Sequence, residues 1–495
     1  MATDNPGSAR LPIAMLTAIV VGAIMPILDS TIVSIGMRTL IREFGSTAST
    51  MQWVTTAYLL ALAVAVPVAG WAQANFGGKR LWLFALVLFT AGSVACALSW
   101  NVGTLVGFRA FQGFGAGLLL ALMQTLPAQE ASRIGVGSLG KIIAMVSLPM
   151  AAGPILGPVL GGVVLTWLSW HWLFLINVPI GIVAIVLAAL LLHDDRPDAQ
   201  SRPRLDIVGL LAIGGGLTAL LLALTNTATE GGVAHARVII PLVIGAVLIA
   251  GFLAWPLTRD PARAVINVAL LGLRSVASAA GAIFLVMAAM YAAQFLLPLY
   301  WQELRGYTVL HAAMLLIPQG VGALLTRTVA ARLTTRFGGR MVAIVAFLLV
   351  AATTLPFVFA SATTPDWWLS GVLFLRGLAL GALLIPVMMV AYLDVDHGDI
   401  PHATMLTRIG QQVGASFGTA LVAVVLVSAA ATSNATPQAG FQAAFLVAVI
   451  LSLVGTVAAL WLPGARATSA RLGTPSPSPE PALTAPGPEH PRTNI

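Results

Sequence analysis

The sequence predicts an all-α integral membrane protein of about fourteen spanning helices. Three observations predict it: very little charge, a series of long unbroken apolar runs, and a bias of the basic residues to one side of those runs. Of the 495 residues, 58% are hydrophobic and 8% charged, whereas a soluble chain carries roughly 25% charge. So few charges cannot coat a water-facing surface, so lipid must be the solvent for most of the chain.

Each run is long enough for a helical crossing, which needs about 20 apolar residues. Backbone facing lipid must satisfy its own hydrogen bonds, so the spans are helices. The short alternating segments of a membrane barrel are missing; Ala443 to Leu460 is a continuous apolar run. The first run starts near Leu11 and is too long for the apolar part of a cleavable signal, so it reads as the first span. The single cysteine, Cys96, has no intrachain partner and reads as a small apolar residue.

The net charge of +8 invites a nucleic-acid reading, but the basic residues sit in short loops and at span ends. With the N-terminus in the cytoplasm, nineteen of the 25 Lys and Arg residues fall on the cytoplasmic side and four on the outer side, with Arg109 and Arg376 inside spans. That asymmetry sets the orientation, and an even number of spans returns the C-terminus to the cytoplasm. The expectation is a cell-membrane protein with both termini inside.

An internal echo divides the chain. Phe76-Gly77-Gly78-Lys79 follows the second span and Phe337-Gly338-Gly339-Arg340 follows the tenth. A span with a single arginine comes later in each half. The expected organisation is a cytoplasmic N-terminus (1–10), a six-helix bundle (11–192), a linker with two extra spans (193–275), a second six-helix bundle (276–463) and a disordered cytoplasmic tail (464–495). Weak symmetry of this kind is typical of transporters with a site near the midplane.

One acid lies well inside a span, Asp29 in Leu28-Asp29-Ser30-Thr31-Ile32-Val33. A charge at the bilayer centre costs about 2.5–3.5 kcal/mol on insertion scales and marks a functional candidate. An acid there can exchange protons as its surroundings change; the competing readings are a water-exposed acid near the outer mouth and a structural acid held by Ser and Thr. Arg109, in Phe108-Arg109-Ala110-Phe111-Gln112-Gly113, stays protonated. It either sets the behaviour of a nearby acid or clamps helices through carbonyls. Span five carries Gly153, Pro154, Gly157, Pro158, Gly161 and Gly162, a composition suited to bending or close packing. Gly410, Gly414 and Gly418 in span thirteen read as a packing face. Trp53, Tyr291, Gln294, Gln319 and Gln411 are candidates to line a cavity. His397 and His402, near Asp394, Asp396 and Asp399, read as a solvated loop, and neither a metal site nor a phosphate loop of the P-loop type is evident.

Together these residues resemble the fourteen-helix drug:proton antiporter branch of the major facilitator superfamily. The stretch around Asp29 resembles that branch's first-helix motif, Arg109 with Gln112-Gly113 the fourth-helix motif, and Gly153 to Gly162 the fifth-helix antiporter motif. Trp170-His171-Trp172-Leu173-Phe174-Leu175-Ile176-Asn177-Val178-Pro179-Ile180-Gly181 also resembles this branch. The likeness covers about residues 11–463. It implies a major-facilitator-type fold, two six-helix bundles rocking around a central cavity, with Asp29 as a protonation or substrate-cation site and Arg109 assisting. The implied partners are protons, membrane lipids and a small hydrophobic or amphipathic substrate, without cofactor or nucleic acid, in a monomer that is not an enzyme. With one membrane acid, a neutral or monocationic cargo is expected over a dicationic one.

The loop after the second span departs from the family pattern Gly-x-Leu-Ala-Asp-Arg-x-Gly-Arg-Lys. Gly70, Gly77, Gly78, Lys79 and Arg80 keep its glycines and basic end, but Ala74 replaces the acid and Asn75 the arginine. The charge latch that the family builds there is expected to be weaker. The alternatives are an exporter of one endogenous metabolite, lipid or siderophore, and a non-transporting receptor or scaffold.

Overall fold

The computed structural model describes residues 6–134, 153, 156–192, 207–230, 235–254, 268–361, 363–395, 399–430 and 437–464. All long elements among them are helices. The first half comprises α1 (Pro6–Ile35), α2 (Met37–Glu43), α3 (Ala48–Met51), α4 (Trp53–Phe76), α5 (Gly78–Ala97), α6 (Val102–Ile134), α7 (Leu156–Trp167), α8 (Trp172–Leu175) and α9 (Asn177–Leu191). Two helices follow, α10 (Ile207–Glu230) and α11 (Ala236–Ala254). The second half comprises α12 (Arg274–Leu299), α13 (Val309–Phe337), α14 (Gly339–Phe359), α15 (Asp366–Ala391), α16 (Ile400–Ala430) and α17 (Pro437–Ala459).

Twelve helices among the described residues are long and apolar enough to cross a membrane. The shorter apolar stretches of α7 and α11 take the places of the fifth and eighth expected spans. Most of the first half of the fifth expected span lies outside the described residues, as do most of the linker segment before α10 and the tail from 465 onward.

Lipid-facing positions keep large apolar side chains exposed, among them Leu190, Leu211, Val247 and Leu348. Trp100, Trp167, Trp367 and Trp461 stand exposed at span ends, where amphipathic rings favour the bilayer interface. Within each half, fully buried residues such as Trp82, Phe89, Phe347 and Phe445 fill the space between helices.

The two halves repeat one backbone plan. Thr47 and Thr308 each cap the second span, their hydroxyls accepting from the backbone N–H of Thr50 and His311 at 3.3 Å. Each span then runs the same length to a phenylalanine and a glycine. Gly77 (φ 88°) and Gly338 (φ 81°) end the helices at positive φ, and the next helix starts at the glycine after each. Only glycine adopts that backbone without strain, so the sequence echo is a conformational requirement. Phe76 and Phe337 themselves stand half exposed.

Close helix contacts repeat as well. A Cβ on Gly113 or Gly117 of α6 would strike the Tyr58 or Leu62 carbonyl of α4, and one on Gly377 or Gly381 of α15 the Gln319 or Ala323 carbonyl of α13. Gly153, Gly157 and Gly161 meet Ile27, Thr31 and Ile35 of α1; Gly410, Gly414 and Gly418 meet Ala280, Phe284 and Ala288 of α12. In every row the glycine and its partner advance together by four residues per contact, so the two halves share one register. The fifth-span and thirteenth-span glycines are therefore the same packing device, used once per half. α10 packs on both α4 and α16, with Gln52 donating to Thr225 Oγ1 at 3.3 Å, and α11 packs against α10 through Gly216 and Gly245.

Gly77→Ala and Gly338→Ala are expected to destabilise the purified protein by similar amounts, about 1–3 kcal/mol each. Gly107→Ala, at an open helical position with nothing within 4 Å of the added carbon, is expected to be neutral or slightly stabilising. Thermal unfolding in detergent checks the ranking.

Candidate functional site: a buried ion pair beside a central cavity

Five helices of the first half converge on Asp29. Its Oδ2 accepts from Arg109 Nη1 at 2.5 Å. Its Oδ1 accepts from Gln112 Nε2 at 2.9 Å and from Asn177 Nδ2 at 3.0 Å. Gln112 ties the network together: its Oε1 accepts from Arg109 Nη1 at 2.6 Å, and its amide also donates to Ser93 Oγ at 2.7 Å. Arg109 Nε donates to the Val54 carbonyl at 3.1 Å, and the guanidinium lies 4.1 Å from the Tyr58 ring centroid. Asp29, Arg109, Gln112 and Asn177 are all fully buried or nearly so.

An unpaired charge at this depth would be very costly. Two amide donors and a guanidinium satisfy the carboxylate instead. Asp29 is fully buried and does not line the cavity between the halves, so in this conformation it offers no surface to a cationic cargo.

Between the halves lies a cavity of about 270 Å³. Tyr58 forms part of its wall and also covers Arg109, with its hydroxyl donating to the Pro26 carbonyl at 3.2 Å. One ring thus separates cavity from ion pair. Toward the end of α1 the halves are sealed: Gln302 Nε2 donates to the Ile35 carbonyl at 3.0 Å, and Gly162 packs on Leu310 and Ala313.

Tyr291, Gln294, Gln319 and Gln411 line the cavity, together with Pro158 of α7. Trp53 does not. It packs with Leu60, Leu217, Leu221 and Phe417 in the seam where α10 meets α4 and α16. Pro154 and His397 lie outside the described residues. In the last turn of α4, Asn75 Nδ2 donates to the Trp71 carbonyl at 2.9 Å, a local bond where the family pattern carries an arginine.

Four residues have roles that sequence reasoning missed. Asn177 was quoted only as part of a motif, although a lone amide in the apolar run of α9 is a signal. Arg327 and Arg408, counted as topology-setting charges at span ends, line the cavity. Arg376 is fully buried and donates to Thr354 Oγ1 (3.1 Å), Gln319 Oε1 (2.9 Å) and the Ala289 carbonyl (3.3 Å), all neutral partners.

Two pseudo-symmetric helical halves around a central cavity, with a charge network buried in one of them, define a membrane transporter and not an enzyme. The chain belongs to the Major Facilitator Superfamily, whose profile matches residues 12–419. It is 36% identical over 411 residues to the Multidrug resistance protein B homolog of Mycobacterium tuberculosis, covering 82% of this chain and 75% of the relative. It is 29% identical over 428 residues to the uncharacterized MFS-type transporter YhcA of Bacillus subtilis (86% and 78% covered). Over 433 residues it is 28% identical to the putative multidrug resistance protein MdtD of Escherichia coli (86% and 88% covered). Crystal structures of the nucleoside transporter NupG and a D-xylose-proton symporter share the fold, each with a TM-score of 0.65, at 12% and 15% identity. They cover 91% and 92% of this chain and 99% of their own.

Asp29→Asn, which leaves Arg109 buried without its anion, is expected to cost about 3–5 kcal/mol of stability. Asn177→Ala, which removes one hydrogen bond to the carboxylate, is expected to cost about 1.5–3 kcal/mol. Unfolding of the purified variants checks both the order and the size.

Proposed function

We propose that the chain is a proton-coupled antiporter that exports hydrophobic or amphipathic compounds from the cell by alternating access. The observation that carries this reading is the buried Asp29–Arg109 pair, with the Tyr58 ring against Arg109 on one side and in the cavity wall on the other. The multidrug-resistance names of its relatives support the substrate class.

In this mechanism the halves, residues 11–192 and 276–463, rock about the cavity in the plasma membrane, with both termini cytoplasmic. Protonation neutralises Asp29 and frees Arg109 from its anion. Arg109 remains held to α4 by Val54 and Tyr58, so loss of the pair loosens α1 against α6. Since α1 also forms one wall of the cavity through Pro26, Ile27 and Ser30, the same step reshapes the substrate site. The glycine contacts of α7 with α1 let these helices slide without side-chain interlocking. One proton crossing about 100 mV supplies roughly 2.3 kcal/mol, and one pH unit adds about 1.4 kcal/mol. Together they sustain a substrate gradient of several hundredfold, at about 1.4 kcal/mol per factor of ten.

Proteoliposomes with an imposed pH gradient test the coupling. Wild-type protein is expected to accumulate a fluorescent amphipath against its gradient only while the pH gradient lasts, and Asp29→Asn to lose that accumulation. Full efflux by Asp29→Asn with its pH dependence intact would defeat the assignment. Ala74→Asp, which restores the acid of the family pattern, is expected to shift the population toward the outward-open state. Lower cytoplasmic labelling of a cysteine placed at Leu384, a cavity position, reads that shift; unchanged labelling removes the latch argument.

A further inference from the structure

The cavity is rich in donors and has no carboxylate among the described residues. Arg327 of α13 and Arg408 of α16 line it, and neither is ion-paired among the described residues. No described Asp or Glu lines the cavity. Gln411, one turn after Arg408, contributes an amide nitrogen that is buried and has no hydrogen-bond partner. Behind Gln319 stands the buried Arg376, also without an acid. Arg327 lies toward the C-terminal end of α13 and Arg408 toward the N-terminal end of α16. Successive spans alternate in direction, so both arginines belong to the same end of the second half. That end is opposite the Gln302–Ile35 seal.

The rest of the wall is largely apolar, with Met287, Met290 and Leu384 among its residues. Desolvated guanidinium groups without an anion are energetically poor. Guanidinium is also the side chain suited to gripping carboxylate or a similar oxyanion. We infer that this cavity selects amphipathic monoanions, with the anionic head on Arg327, Arg408 and the Gln411 amide and the apolar body against the methionine-rich wall. A cationic cargo would meet like charge there, so the cavity reverses the sequence expectation of a neutral or monocationic substrate. The inference deepens the export reading and uses the same cavity, but it rests on the cavity's charge and not on proton coupling.

The test uses the full-length protein in phosphatidylcholine nanodiscs and three probes with one carbon skeleton: phenylhexanoate, phenylhexanol and phenylhexylammonium. Calorimetry is expected to show the carboxylate binding about tenfold tighter than the alcohol, and the ammonium weaker than the alcohol. Arg327→Gln and Arg408→Gln are each expected to lower carboxylate affinity about tenfold while leaving the alcohol unchanged, and Lys at the same positions to preserve the preference. Ammonium binding equal to or tighter than carboxylate in the wild type overturns the inference, and that comparison needs no variant. An equal loss of carboxylate and alcohol in the glutamine variants also overturns it. Replacing phosphatidylcholine with phosphatidylglycerol separates the two sources of such an anion. Competition with phenylhexanoate assigns the site to a lipid headgroup, and unchanged binding assigns it to a free amphipath. Charge preference without coupled transport in proteoliposomes would remove the exporter reading and leave the anion site standing.

Discussion

Burying Asp29 and Arg109 together in a membrane constrains the whole first half. Neither charge is tolerable there alone, and the pair is tolerable only with its remaining hydrogen-bonding capacity satisfied. That requirement recruits Gln112 from the same helix as Arg109, Asn177 from α9, Ser93 from α5 and the Val54 carbonyl from α4. Each recruit fixes a helix at one depth and one rotation. The glycine contacts between α6 and α4 then follow, because the guanidinium reaches Val54 and the Tyr58 ring only if those helices nearly touch. The network thus holds five helices in register around one buried ion pair.

Much of the architecture was legible in sequence because membrane constraints leave few alternatives. Low charge and long apolar runs require helices. The Phe-Gly-Gly echo marked the two halves because Gly77 and Gly338 sit at positive φ, where a side chain is penalised. Asp29 and Arg109 stood out as charges in apolar runs. Their contact across eighty positions of sequence was not legible, since spacing says nothing about which faces meet. Asn177 escaped for a related reason: an amide is cheap enough in a span to pass as incidental. Arg327 and Arg408 were read as topology charges because the bias of basic residues toward one side concerns depth, and only the fold reveals that they turn inward. Trp53 shows the converse error. A polar aromatic in a span suggests a cavity, but its helix face meets α10 instead.

In sequence, the density of glycine and proline sets span five apart, while span thirteen reads as a plain packing face. Geometry makes their glycine rows equivalent, Gly157 on Thr31 matching Gly414 on Phe284 as Gly161 on Ile35 matches Gly418 on Ala288. What distinguishes α7 is its second face. Pro158 lines the cavity and Gly162 meets α13 of the other half. A helix that is smooth toward its own bundle and also small toward the opposite one can transmit motion between them. α16 has only the first property in its glycines, with Ala415 and Thr419 standing where α7 has Pro158 and Gly162.

The halves share a scaffold and differ in charge. In the first, the buried arginine sits one turn before the glycine that approaches α4, and an aspartate neutralises it. In the second, Arg376 immediately precedes the equivalent glycine and meets only neutral groups. Tyr58 and Gln319 hold matching positions beneath those glycines, yet one shields its arginine with a ring and the other relays its arginine's polarity to the cavity surface. A duplicated backbone has therefore been divided by chemistry. The first half buries its charges as a matched pair, and the second presents arginines without an acid partner among the described residues to the space between the halves.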